Sequence, residues 1–259
     1  MRSRSRRGIE TRVVIATVRH PDGRVSVLAV LADRKKETVK QFLRGIPAPL
    51  KKTIQTVCSD LYDGFINAVK EELPAATVVA DRPRWPRSIG SAPIRCASKR
   101  PRRLKQELAP PAYEEIKGAL WPFRKRPEDL SPEEEARLNR LFARSPSLHQ
   151  AYTLREELTA IFEQDLTKAE ATEKIQQWQD QVLDSGLSCF QPFLTMLDNW
   201  MDEITNYFLN RETSGFVEGI NTKVKVLKRR CYGIFNLGHL FQRLFLDLEG
   251  YRLFAKPAW

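Results

Sequence analysis

A chain of 259 residues with 42% hydrophobic content can bury a sizeable core, so disorder throughout is excluded and one large or two small domains are expected. Lys and Arg outnumber Asp and Glu by 43 to 32, and the formal charge of +11 favours a polyanionic partner, nucleic acid first. No apolar run reaches membrane-spanning length and no signal-type apolar region follows the basic start, so a soluble, cytoplasmic protein with no membrane partner is expected.

In chain order, residues 12–20 (RVVIATVRH) and 24–31 (RVSVLAVL) are β-branched runs flanking Pro21-Asp22-Gly23, which predicts a hairpin. Residues 37–43 read as a short helix, 54–59 (IQTVCS) as a buried strand ending at Asp60, and 61–73 as a helix stopped by Pro74. Residues 77–80 (TVVA) read as another strand, ending at Asp81. The order implies an α/β sheet with covering helices. Residues 82–105 hold nine basic residues, four prolines and no acid, without a sustained period, and predict no regular element. Beyond them the chain turns helical. Ser131-Pro-Glu-Glu and Thr167-Lys-Ala-Glu match capping boxes. Leu148, Tyr152, Leu158 and Phe162, and then Phe193, Leu197, Trp200, Ile204 and Phe208, fall at helical spacing and read as core stripes. The four cysteines, Cys58, Cys96, Cys189 and Cys231, lack zinc-site spacing and read as isolated thiols, although four could in principle form two disulfides.

Residues 214–230 (SGFVEGINTKVKVLKRR) form a helix in which Ser214 can cap and Val217, Ile220, Val224, Leu227 and Cys231 make a buried stripe. Glu218, Asn221, Thr222, Lys225 and Arg229 occupy another face, a carboxylate in the first turn with cations below it. Such a face suits a metal held beside a phosphodiester. It also suits a carboxylate that complements the helix dipole above a solvated cationic face, and periodicity alone favours that second reading.

The run GFVEGINTKVKVLKRRCYGIFNLGHLFQRL, residues 215–244, resembles the C-terminal signature of the ISL-three family of DDE-type transposases from bacterial insertion sequences. VCSDLYDGFINAVKEELPAATVVADR, residues 57–82, is similar to the same family's segment with a strand-end Asp, a helix and an Asp-Arg strand end. The resemblance implies an RNase H-like catalytic core carrying a large α-helical insertion. Its divisions would be 1–82 for the N-terminal part of the core, 83–105 for an irregular basic segment, 106–213 for the helical insertion and 214–259 for the catalytic-helix part. It implies that Asp60 and Glu218 are catalytic acids holding Mg²⁺ or Mn²⁺, for two-metal cleavage and strand transfer. Asp60 alone also reads as an N-cap for the helix after it, with Asp63 assisting, and Asp81 ranks below Asp60. The partners implied are DNA, as transposon ends and target, and a homo-oligomer; Lys223, Lys225, Lys228, Arg229 and Arg230 are the candidate DNA contacts.

Family members also begin the sheet with a strand carrying Ile-Asp-Glu, the first acid, and precede it with zinc-binding and helix-turn-helix segments. Neither stands before Arg12, and Glu10 is misplaced as a substitute. The expectation is a truncated, inactive copy whose core misses its first strand; the alternative is a noncatalytic, basic DNA-binding remnant. After Arg82 the family continues Phe-His-Val where this chain has Pro83-Arg84-Trp85-Pro86. Codons for Phe-His-Val-Gly-Gln such as TTC CAC GTT GGC CAA, read two bases later, give Pro-Arg-Trp-Pro, so a frameshift near Arg82 compensated near Arg103 is one account and a basic DNA-binding loop the other.

Overall fold

The computed structural model describes residues 13–81, 106, 108–211, 215–230 and 236–254, with backbone alone at 215, 217, 218, 228, 251 and 252. Its elements are β1 (Val14–Arg19), β2 (Val25–Leu31), α1 (Lys36–Arg44), α2 (Ala48–Lys51), β3 (Thr56–Ser59), α3 (Asp63–Glu72), β4 (Thr77–Ala80), α4 (Pro110–Glu114), α5 (Pro132–Arg144), α6 (Pro146–Glu163), α7 (Lys168–Asp184), α8 (Gln191–Thr205), α9 (Tyr207–Asn210), α10 (Gly215–Arg230) and α11 (Leu237–Phe254). The architecture is mixed α/β and mostly helical. Two compact units divide it: Met1–Val78 with Thr213–Trp259, and Val79–Glu212.

In the first unit the predicted hairpin forms between β1 and β2. Gly23 takes φ 81°, a conformation that strains any residue with a Cβ, and the turn closes as the His20 N–H donates to the Arg24 carbonyl at 2.7 Å. The Asp22 carboxylate accepts from the Arg24 N–H at 3.0 Å. Ala16 faces Ala29 but Thr17 faces Val27, so Leu28 is an extra residue on β2, a bulge that leaves its side chain 46% exposed. Ile15, Val25 and Val30 pack against Ile220, Val224 and Leu227 of α10 and Leu240 and Leu244 of α11. Asn236 starts α11, its side-chain oxygen accepting from the His239 N–H at 3.1 Å.

The segment after the hairpin builds α1 on α3, burying Val39, Leu43, Ile66 and Val69. Ion pairs line the pair's outer edge: Lys36 and Lys40 meet Glu71 at 2.5 and 2.6 Å, and Arg44 meets Glu72 at 2.9 Å. β3 and β4 form a second two-stranded ladder, beginning where the Thr77 N–H donates to the Gln55 carbonyl at 2.8 Å. Among the described residues no strand pairing joins this ladder to the hairpin.

One local expectation is corrected here. α3 starts at Asp63, with extended Tyr62 at the N-cap and no side-chain cap bond, so Asp60 is not the cap and Asp63 is not its box partner. A tight turn intervenes, the Tyr62 N–H donating to the Asp60 carbonyl at 2.8 Å, and it delays the first helical residue.

The helical unit follows its sequence signals closely. Ser131 and Thr167 both make reciprocal capping boxes, with Glu134 and Glu170, and Pro132 takes the first position of α5, where its missing N–H costs nothing. Leu148, Tyr152, Leu158 and Phe162 are buried along α6. The second stripe is interrupted: Trp200 leaves helical geometry at φ −131° and ψ 22°, and α9 begins afresh at Tyr207, yet Phe193, Leu197, Ile204 and Phe208 remain buried. Trp178 of α7 anchors one part of this core, edge-on to Phe190 and Phe193, with its indole N–H donating to the Leu154 carbonyl at 2.7 Å. Arg155 is buried and satisfied, donating to the Phe123 and Lys125 carbonyls at 2.6 and 2.9 Å. Cys58 stays a thiol, as read, whereas Cys189 is disulfide-bonded, the alternative left open by the sequence. Residues 82–105 lie outside the described residues, so neither account of the basic segment is tested.

Candidate functional site

Asp60 follows the last residue of β3 and is half-buried; the Ser59 hydroxyl donates to its backbone carbonyl at 3.1 Å. Asp81 stands in the corresponding place after β4. Glu218 lies in the first turn of α10, in the same unit as Asp60, with its side chain outside the described set.

What orients α10 is its apolar stripe. Ile220, Val224 and Leu227 are 6%, 8% and 4% exposed and lock the helix against the hairpin and α11. Asn221, Thr222, Lys225, Arg229 and Arg230 are left in solvent by that packing. Thr222 and Lys225 follow the Glu218 backbone position by one and two turns. Lys223 differs from the other candidate DNA contacts: its ammonium meets the Asp247 carboxylate at 2.7 Å and the Asp247 carbonyl at 3.2 Å, tying α10 to α11. Lys225, Arg229 and Arg230 have no ion pair among the described residues, and Lys228 is described by backbone alone.

A cation seated on two rings that follow Asp60 in the chain carries no sequence signal. Arg34, just before α1, places its guanidinium carbon 4.9 Å from the centre of the Tyr62 ring and 5.4 Å from that of Phe65. Those rings meet edge-on at 5.1 Å and 77°. Nothing local marks the contact, because Arg34 and Tyr62 are joined only by the packing of α1 on α3.

Among the described residues no group of three or more His, Cys, Asp or Glu side chains is placed to hold a metal ion. The donor chemistry of the predicted pair nevertheless suits one: two carboxylates in one unit offer the hard oxygens that Mg²⁺ and Mn²⁺ take. A shallow cavity of about 350 Å³ lies elsewhere, in the helical unit, lined by Pro146, His149, Leu154 and Glu157 among others and by none of the predicted site residues. No described helix is long and apolar enough to cross a membrane.

Known proteins similar to this chain agree on one class. A family model described as "Transposase", that of the ISL-three DDE group, matches residues 2–244. The transposase for insertion sequence element IS1001 of Bordetella parapertussis is 26% identical over 225 residues, covering 86% of this chain and 54% of that protein. The transposase for insertion sequence element IS1557 of Mycobacterium tuberculosis is 24% identical over 270 residues, covering 93% of this chain and 58% of that protein. The chain thus spans somewhat more than half the length of these curated relatives. No solved structure matches it. Because the family model takes in nearly the whole chain, including the segments of Asp60 and Glu218, the chain belongs to the ISL-three family of DDE transposases.

Proposed function

We propose that this chain carries part of the DNA cleavage and strand-transfer centre of an insertion-sequence transposase. In this reading the core is RNase H-like, the helical unit is its insertion, and Asp60 and Glu218 are two of the catalytic acids. The observation that carries it is the position of Asp60, which ends a strand in the unit that holds α10 and has no capping duty at α3.

Asp60 and Glu218 would hold Mg²⁺ or Mn²⁺, which supplies Lewis-acid polarisation of the phosphodiester and eases deprotonation of the attacking hydroxyl. The remaining work falls to the chain's own groups. Lys225, Lys228, Arg229 and Arg230 neutralise backbone phosphates of the transposon end and target, and Lys223 contributes with its charge partly offset by Asp247. The buried stripe of α10 keeps this cationic line in one orientation, so that a bound strand is fixed relative to the acids. Completed by the family's first acid, such a centre would have water attack phosphorus at the transposon end with the 3′-oxygen leaving, and the freed 3′-hydroxyl would then attack a target phosphodiester with the target strand's own 3′-oxygen leaving.

Ferrous ion with ascorbate cuts a polypeptide beside a bound divalent-ion site. The full chain treated this way is expected to be cut near Asp60 and near Glu218, in competition with Mg²⁺, and Asp60→Asn and Glu218→Gln should each lose the cuts. Cutting that ignores both substitutions overturns the metal assignment. If DNA binding then persists with a steep salt dependence, the noncatalytic DNA-binding reading takes its place.

A further inference from the structure

We propose that Arg34 is a phosphate-positioning residue for the DNA strand presented to Asp60, seated on an aromatic platform of Tyr62 and Phe65. The inference rests on the reading of Asp60 as a metal-holding acid and adds a contact from outside the segments that carry the family resemblance.

Three observations converge on it. The first is charge. The cations that follow Arg34 are matched, Lys36 and Lys40 by Glu71 and Arg44 by Glu72, whereas Arg34 has no ion pair among the described residues. Its neighbour Asp33 is engaged elsewhere, accepting from the Lys35 N–H at 2.9 Å and the Thr38 hydroxyl at 2.7 Å. The second is presentation. A guanidinium laid over a ring keeps its N–H edge for a planar, bidentate hold on a phosphate. Tyr62, the ring beneath it, is two residues past Asp60 and 41% exposed. The third is a place made for that ring. A Cβ at position 64 would lie 2.6 Å from Cε1 of Tyr62, so Gly64 is what allows the ring to lie against the start of α3. Glycine, tyrosine and arginine thereby hold one unpaired positive charge on the ring that follows Asp60 by two residues.

The test is equilibrium binding of the full chain to a duplex carrying the element's end, without divalent ion, across a salt series. Arg34→Gln should make the slope of log affinity against log salt shallower by one phosphate contact, about 0.9. Arg34→Lys should restore the slope but only part of the affinity, since an ammonium neutralises a phosphate without the fork geometry. Ethylation interference should find one phosphate whose modification weakens binding of the native chain and not of Arg34→Gln. An unchanged slope and an unchanged interference pattern in Arg34→Gln would overturn the proposal. So would a lowered melting temperature with the slope intact, which marks a mere clasp between α1 and α3. Failure of the metal reading is distinguishable: the iron-directed cuts would be absent while the phosphate sensitive to Arg34 remained.

Discussion

Leu244→Ala probes the packing that holds the proposed site's helix. Leu244 is fully buried in the cluster where Ile220, Val224 and Leu227 of α10 meet the hairpin. Truncation removes three carbons, about 2.4 kcal/mol at roughly 0.8 kcal/mol per buried methylene. The residual cavity raises the expected total to about 3–4 kcal/mol. Leu246 supplies the control, being the same residue type on the same helix but 48% exposed, and Leu246→Ala should cost under about 0.5 kcal/mol. Urea unfolding followed by far-UV circular dichroism measures both. Hydrogen exchange read by peptide should localise the loss of protection in Leu244→Ala to the hairpin and α10–α11. Iron-directed cutting near Glu218 should weaken in Leu244→Ala and persist in Leu246→Ala. Equal costs for the two variants, or a cost below about 1 kcal/mol for Leu244→Ala, would refute the packing argument.

Three further outcomes are expected. Ser131→Ala removes the acceptor for the Glu134 N–H and should cost about 1 kcal/mol in thermal unfolding, with Ser131→Thr recovering most of it. Ammonium groups of Lys36, first, and Lys40 hold the Glu71 carboxyl down at about 2, below its ordinary 4.5. Because the folded-state value is the depressed one, the associated stability is present above pH 4.5 and is lost as pH falls toward about 2. Glu71→Gln should therefore flatten the stability curve in that window, most visibly at low salt, and an unchanged acid limb would count against the pairing. Asp60→Ala should remove the iron-directed cuts while leaving the hydrogen-exchange protection of α3 unchanged, because Asp60 makes no cap bond there; cuts that persist would count against its metal role.

Legibility in the sequence follows the range of the interaction. The two capping boxes are readable because each is complete within four residues, and β4 is bounded at both ends by Pro74 and the polar stop at Asp81. The hairpin is readable from its turn, but the bulge at Leu28 is not, since register depends on what the facing helices bury. Sequence signals start α3 two residues early because Asp60 is a good capping residue by type, and only the turn through Leu61 shows that the backbone is otherwise used. The break at Trp200 is hidden because the buried stripe runs on through it at helical spacing. Arg34 over Tyr62 and buried Arg155 are invisible for the same reason in stronger form: each contact joins positions about thirty residues apart that carry no shared motif.

Periodicity sets two roles for Glu218 in opposition, a dipole partner at the start of α10 or a metal ligand, and they are less opposed than they look. The positive potential at a helix N-terminus favours the ionised carboxylate, which is also the form that binds a divalent ion. What separates a solvated face from a working one is how the cations below it are balanced. Along α1, Lys36, Lys40 and Arg44 each meet a carboxylate of Glu71 or Glu72. Along α10 only Lys223 is so matched among the described residues, by Asp247, whereas Lys225, Arg229 and Arg230 stand exposed with no ion pair there. A chain that neutralises its cations on one helix and leaves them open on another concentrates its excess charge where a polyanion would lie. The same imbalance singles out Arg34, whose open charge sits on the ring of Tyr62, two residues past Asp60 in the chain.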